Sequence, residues 1–172
     1  MMGKTHFMIG LGTGAMLAVA ANAGPVYIGG MAIVSGLGAL LPDIDHRHAP
    51  IRQRLGFVGD VLLWWLPHRG LTHSLLCWMA LTAIWFSLCP LIDVPLILAL
   101  ALSAGYASHI LADMTTKRGL PIFYPVWRQD CYILPPGFRV TTGGISENVV
   151  FLLFMIGLVL LFANMRGLTL PQ

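Results

Sequence analysis

Between Lys4 and Asp43 the chain runs for 38 residues without a charged side chain. A hydrocarbon layer of about 30 Å is crossed by roughly 20 helical residues, so this run is too long for one crossing and suits two helices. Ala21-Asn22-Ala23-Gly24-Pro25 provides the turn between them. Three further uncharged runs follow, Ser74 to Ile92, Val94 to Ala112 and Asn148 to Met165. Together they predict an all-α polytopic membrane helical bundle of about five transmembrane helices, near residues 6–22, 26–42, 73–90, 94–112 and 147–164, in a single domain spanning 1–172. Only 10% of the residues are Asp, Glu, Lys or Arg, whereas a soluble domain carries about 25%. That scarcity excludes a disordered chain and a water-facing globule of this size. With only ten Lys and Arg, no nucleic-acid partner is expected either. A cleaved secretory signal is not expected: the apolar stretch after Lys4 continues through a second helix and ends in Asp and His.

Two polar connections, residues 43–72 and 113–146, interrupt the apolar pattern. The first includes the apolar segment 57–66, too short to span and suited to the interface together with Trp64, Trp65 and Trp127. The second holds Pro121, Pro125, Pro135 and Pro136 among several glycines, which predicts an ordered loop of turns rather than another helix. In a five-span arrangement nine of the ten basic residues fall on one side and only Arg166 on the other. The positive-inside rule then puts the N-terminus and both connections in the cytoplasm and the C-terminus in the periplasm of a bacterial cell with an inner membrane. Cys77, Cys89 and Cys131 form no CxxC pair and read as apolar fillers without disulfides.

The few polar groups in or beside the apolar runs gather at the ends of the predicted helices. His6 opens the first, Asp43-Ile44-Asp45-His46 closes the second, His68-Arg69-Gly70-Leu71-Thr72-His73 precedes the third, His109 and Asp113 close the fourth, and Glu147 opens the fifth. Alternation of helix direction brings all of them to one face. His, Asp and Glu are the nitrogen and oxygen donors of Zn²⁺, Mn²⁺ and Fe²⁺ sites. His109 and Asp113, four apart, share a helix face and can converge on one ion; an ordinary buried His–Asp hydrogen bond is the competing reading. Asp43 and Asp45 read as one metal ligand and one supporting carboxylate, or as a solvated helix terminus. Placing such a cluster near lipid is costly unless a cation balances it. His73 and His6 are ligand candidates, with an interfacial histidine as the alternative for His6. His68 reads as a ligand, a supporting donor or a proton shuttle. Arg69 reads as a bidentate fork for phosphate or as a marker of the interface. Glu147, the only glutamate, reads as a ligand or catalytic base, or as an acid favoured by the start of its helix.

Thr5-His6, Leu41-Pro42-Asp43-Ile44-Asp45-His46, His68-Arg69-Gly70-Leu71-Thr72-His73-Ser74 and Gly105-Tyr106-Ala107-Ser108-His109-Ile110-Leu111-Ala112-Asp113 together resemble the LexA-regulated inner-membrane metal-dependent hydrolase family, the YdjM-like membrane-bound hydrolases. The likeness reaches from the N-terminus to about residue 163. Pro67 stands where many relatives have glycine before the His-Arg-Gly run. The family in turn is distantly similar to zinc-dependent phospholipase C, and this remoter likeness alone suggests a phosphoester or phospholipid substrate.

These readings converge on an expectation of hydrolysis at the cytoplasmic membrane face. The metal ligands are His6, Asp43, His73, His109, Asp113 and Glu147. The ion is a divalent one, Zn²⁺ first, with Mn²⁺, Mg²⁺ or Fe²⁺ compatible with the same donors. Catalytic roles fall to Asp45 or Glu147 as proton acceptor, His68 as proton donor and Arg69 as phosphate partner. The partners are membrane lipids and an amphiphilic or phosphoester substrate. A metal-ion transporter is the rival, but a conduit calls for ligands at intermediate depth, where these helices carry almost none. A noncatalytic structural or regulatory membrane protein is the third reading.

Overall fold

The computed structural model of the chain describes residues 1–45 and 70–165. Its elements are α1 (Gly3–Ala20), α2 (Pro25–Gly38), a 3-10 turn Pro42–Asp45, a second 3-10 turn Leu71–His73, α3 (Leu75–Leu88) continued by a 3-10 turn Cys89–Ile92, α4 (Leu96–Met114) and α5 (Ile145–Met165). Their limits follow from local chemistry. Pro25 at the first helical position presets φ for α2, and Asn22 takes the left-handed conformation (φ 51°) in the turn before it. Ser74 caps α3, its hydroxyl accepting from Cys77 N at 3.2 Å and donating to Leu71 O at 2.7 Å. Asp93 closes the α3–α4 connection, again with positive φ (53°).

Among the described residues five α-helices form, but about five membrane spans do not. Among the described residues three helices are long and apolar enough to cross: Leu75–Ile92, Leu96–Met114 and Ile145–Asn164. The expectation of two crossings in the first 42 residues fails for two physical reasons. α2 has only 14 residues, about 21 Å of helix against a core of about 30 Å. α1 has 18 residues, but Lys4, Thr5, His6 and four glycines dilute its apolar character. The chain is thus an all-α polytopic membrane protein with three candidate spans, beside which α1 and α2 form a packed hairpin.

α4 is the centre of the bundle. It packs against α1, α2 and α3, and 56% of its span is buried, against 6% for the spans of α3 and α5. Its small residues explain why: Ala99, Ala101, Ser103, Gly105, Ser108 and Ala112 line its buried surface. At Gly105 the backbone of α4 touches that of α2 so closely that a Cβ would collide with the Ser35 carbonyl. Such contacts are how membrane helices associate where no hydrophobic drive separates side chain from lipid. The outer helices have the opposite character. Leu76, Met79 and Ile84 on α3 and Leu152, Ile156, Val159 and Leu160 on α5 are exposed, a surface that only hydrocarbon can solvate.

The stretch between α4 and α5 is a loop of turns, as its prolines imply. Isolated bridges pair Thr116 with Val140 and Leu120 with Cys131, and Leu120 is fully buried. Leu75 N donates to Ile122 O at 2.8 Å, which ties this loop to the start of α3.

Candidate metal centre

Four described segments deliver polar side chains to one end of the bundle. α1 brings His6, the turn after α2 brings Asp43, the turn before α3 brings His73, and the last turns of α4 bring His109 and Asp113. They form two triads, His6–His109–Asp113 and Asp43–His73–His109, in each of which one donor atom per residue lies within 4.8 Å of the others. His109 belongs to both. Its ring stacks on His6 with centroids 3.6 Å apart and meets His73 edge-on at 5.1 Å.

The individual approaches are those of ligands facing a common point. His6 Nε2 lies 3.2 Å from Asp113 Oδ1, and His109 Nε2 lies 3.9 Å from Asp113 Oδ2 and 3.8 Å from Asp43 Oδ1. His73 Nε2 lies 3.5 Å from Asp43 Oδ1. His6, His73 and His109 are fully buried and Asp113 nearly so, while the Asp43 side chain is 27% exposed. Asp43 is therefore the edge at which the cluster meets its surroundings.

Backbone and hydroxyl groups fix the rings from behind. His109 Nδ1 is 2.7 Å from Ala39 O. A carbonyl can only accept, so Nδ1 carries a proton and Nε2 is the nitrogen turned toward the cluster. His73 Nδ1 is likewise 3.0 Å from Thr72 Oγ1. The Tyr106 hydroxyl, one turn before His109, donates to Thr72 O and so tethers the turn that carries His73 to α4. Sequence reasoning found the imidazoles but not these supports: Ala39 acts through its backbone, which no residue type reveals.

Asp43 is held as an anion. Burial on its own would raise its carboxyl, but the His73 hydrogen bond and the neighbouring imidazoles of His109, His6 and His73 outweigh that and keep it well below the usual carboxylate range. Asp113 meets the N-terminal ammonium of Met1 as well as His6. His6 Nδ1 and His109 Nε2 are buried with no hydrogen-bond partner among the described residues. Buried imidazole nitrogens without partners, in a cluster with two carboxylates, are unfavourable by themselves and fit a divalent cation.

Glu147 lies outside both triads. Its Oε1 accepts from Met2 N and its Oε2 from Gly143 N, each at 2.6 Å, so it joins the start of α1 to the loop before α5. Asp45 closes the 3-10 turn after α2, but its side chain lies outside the described residues, as do His68, Arg69, Trp64 and Trp65.

A family model described as YdjM inner membrane protein matches residues 1–170. Over 104 residues the chain is 41% identical to the inner membrane protein YdjM of Escherichia coli (strain K12) and to that of Shigella flexneri. Those alignments cover 58% of this chain and 52% of each relative, so the chain spans about half the length of these two proteins. It is 31% identical over 150 residues to the uncharacterized protein YvsG of Bacillus subtilis (strain 168), with 87% of both chains covered. No solved structure matches. The chain belongs to the YdjM inner membrane protein family and is a multi-pass inner-membrane protein with candidate divalent-metal clusters of His and Asp.

Proposed function

We propose that this member of the YdjM inner membrane protein family is a membrane-bound metal-dependent hydrolase that acts at the cytoplasmic face on a phosphoester or phospholipid. The observation that carries the reading is the pair of His–Asp triads joined through His109, buried at every residue but Asp43. His6, Asp43, His73, His109 and Asp113 are the residues that would hold the ion. A bound divalent cation, Zn²⁺ first by donor type, would supply Lewis acidity toward a phosphoryl or carbonyl oxygen and lower the pKa of water.

The chain's own groups divide the remaining work. Ala39 O and Thr72 Oγ1 orient two of the imidazoles, and the burial of His6, His73 and His109 keeps competing water from their nitrogens. Substrate approaches over Asp43, the exposed edge. Asp45 takes the proton of the attacking water, His68 returns one to the leaving group, and Arg69 pairs with phosphate as a bidentate fork. Glu147 serves by anchoring Met2 and Gly143 rather than by touching substrate. The C-terminus lies on the periplasmic side, since the α1–α2 hairpin returns to the face it starts from and three crossings follow.

The test is purification in detergent, with bound metals measured beside hydrolysis of generic phosphodiesters and phospholipids by wild type, Asp43→Ala and His109→Ala. Stoichiometric divalent metal and hydrolysis, both lost in the variants, is the expected outcome. Metal retained without any hydrolysis points instead to a structural role. Metal-dependent flux across vesicles that survives loss of Asp45 and His68 points to transport.

A further inference from the structure

A cleft of about 320 Å³ runs between α1 and α5, lined by Gly12 and Met16 on one side and Phe154, Gly157, Leu158 and Leu161 on the other. That volume falls in the range of small-molecule sites, roughly 300–1,000 Å³. Its wall on α5 extends over two helical turns, about 12 Å of helix. The lining is apolar, and the neighbouring α5 residues Leu152, Ile156, Val159 and Leu160 are exposed, so the cleft opens onto the hydrocarbon phase. Its depth comes from glycine: around Gly157 a Cβ would meet nothing within 4 Å.

The same two helices lead from the cleft to the metal centre. Going toward it, Phe154 packs over Gly12, then Phe151 lies beneath the Lys4 ammonium, 5.7 Å from its ring centroid, and His6 stands half a turn from Lys4. The acid at this end of α5, Glu147, is buried with both oxygens held by backbone N–H groups, whereas Lys4 is exposed, so the surface at the head of the seam presents a cation above an apolar slot. An anion with a hydrocarbon tail is complementary to that arrangement.

We propose that the α1–α5 seam seats one acyl chain of an anionic glycerophospholipid, with Lys4 at its phosphate and the chain over Gly157. A second copy of this chain fits less well. α5 offers Gly157 as an isolated small residue among large ones, not a spaced small-residue stripe, and a helix docked there would cover the Lys4 charge. That the seated lipid is presented to the metal centre as substrate rests on the hydrolase reading above; the seating itself does not.

The probe is phosphatidylglycerol carrying a diazirine in one acyl chain, in phosphatidylcholine vesicles containing the full chain, with diazirine phosphatidylcholine as the neutral comparison. Cross-links are expected on peptides of α1 and α5 around Gly12–Met16 and Phe154–Leu161. Gly157→Phe, whose Cβ enters open space and whose ring occupies the slot, lowers them several-fold, as does Met16→Trp from the facing wall. Lys4→Gln lowers labelling by the anionic probe roughly five-fold, the weight of one Lys beside an anionic lipid, and leaves the neutral probe unchanged. Monodisperse elution and a thermal unfolding midpoint in detergent equal to wild type show that each variant is folded. Labelling spread evenly around the outer helices, or unaltered in both folded slot variants, overturns the proposal. So does a change of oligomeric state in Gly157→Phe without loss of lipid labelling. Seam labelling that persists in metal-free Asp43→Ala, when no preparation hydrolyses any substrate, supports the seating and sinks the hydrolase reading alone.

Discussion

His109 is the residue on which the candidate centre turns, because it alone stands in both triads and its Nδ1 is already committed to Ala39 O. Only Nε2 remains to bind a cation. Replacing His109 by Ala should therefore reduce metal retention more than His6→Ala or His73→Ala, each of which leaves one triad complete; equal losses, read by metal analysis after dialysis, would contradict the sharing. The supports have their own test. Thr72→Val keeps the shape beside His73 but removes the hydroxyl 3.0 Å from Nδ1. Loss of such an orienting partner lowers metal affinity by about 10–100-fold. Competition with a calibrated chelator measures it, and an unchanged affinity would mean that His73 needs no orientation from Thr72. Much of this site was legible from residue type, since His and Asp stand out in a chain with so few polar groups. What could not be read were contacts made by backbone: nothing in an alanine at 39 announces that its carbonyl sets a tautomer.

At the scale of the elements, packing depends on glycines whose roles differ by position. Gly105 sits where α4 crosses α2, and a Cβ there would collide with the Ser35 carbonyl, while a Cβ at Gly29 of α2 would meet nothing within 4 Å. Gly105→Ala is expected to lower stability by about 1–3 kcal/mol through forced separation of the helices. It should also weaken metal binding, because His109 lies one turn further along α4. Gly29→Ala should leave stability unchanged or raise it by up to about 1 kcal/mol, the helix-propensity gain. Thermal unfolding in detergent separates the two, and equal effects would show that the α2–α4 contact is looser than described. The helices themselves were readable as gaps between charges, and their ends as Pro25, Ser74 and the Pro-rich loop. Which of them cross was not. The 38-residue gap is real, but α2 occupies only 14 of those residues, and the glycines that let α1 approach α2 also lower its apolar content.

For the whole molecule, the decisive quantity is the number of net crossings, and the hairpin does not alter it. α1 begins at the candidate centre, where Met1 meets Asp113, and α2 returns to it, where Ala39 meets His109. The hairpin therefore enters and leaves by one face whatever its depth. α3 then runs away from the centre, α4 returns with His109 and Asp113, and α5 departs after Glu147. Three crossings have the same parity as five, so correcting the span count leaves the charge argument in force: Lys4, Lys117, Arg118, Arg128 and Arg139 remain on the side of the centre and Arg166 follows the last departure. Positive residues mark the cytoplasmic side. A periplasm-dependent phosphatase fused after Gln172 is thus expected to be active, and the same reporter fused after Lys117 inactive. Impermeant thiol labelling of Lys117→Cys and Asn164→Cys in intact spheroplasts checks the result without a fusion, with only the second position reacting. The opposite pattern would put the centre in the periplasm, and with it any substrate the centre could reach.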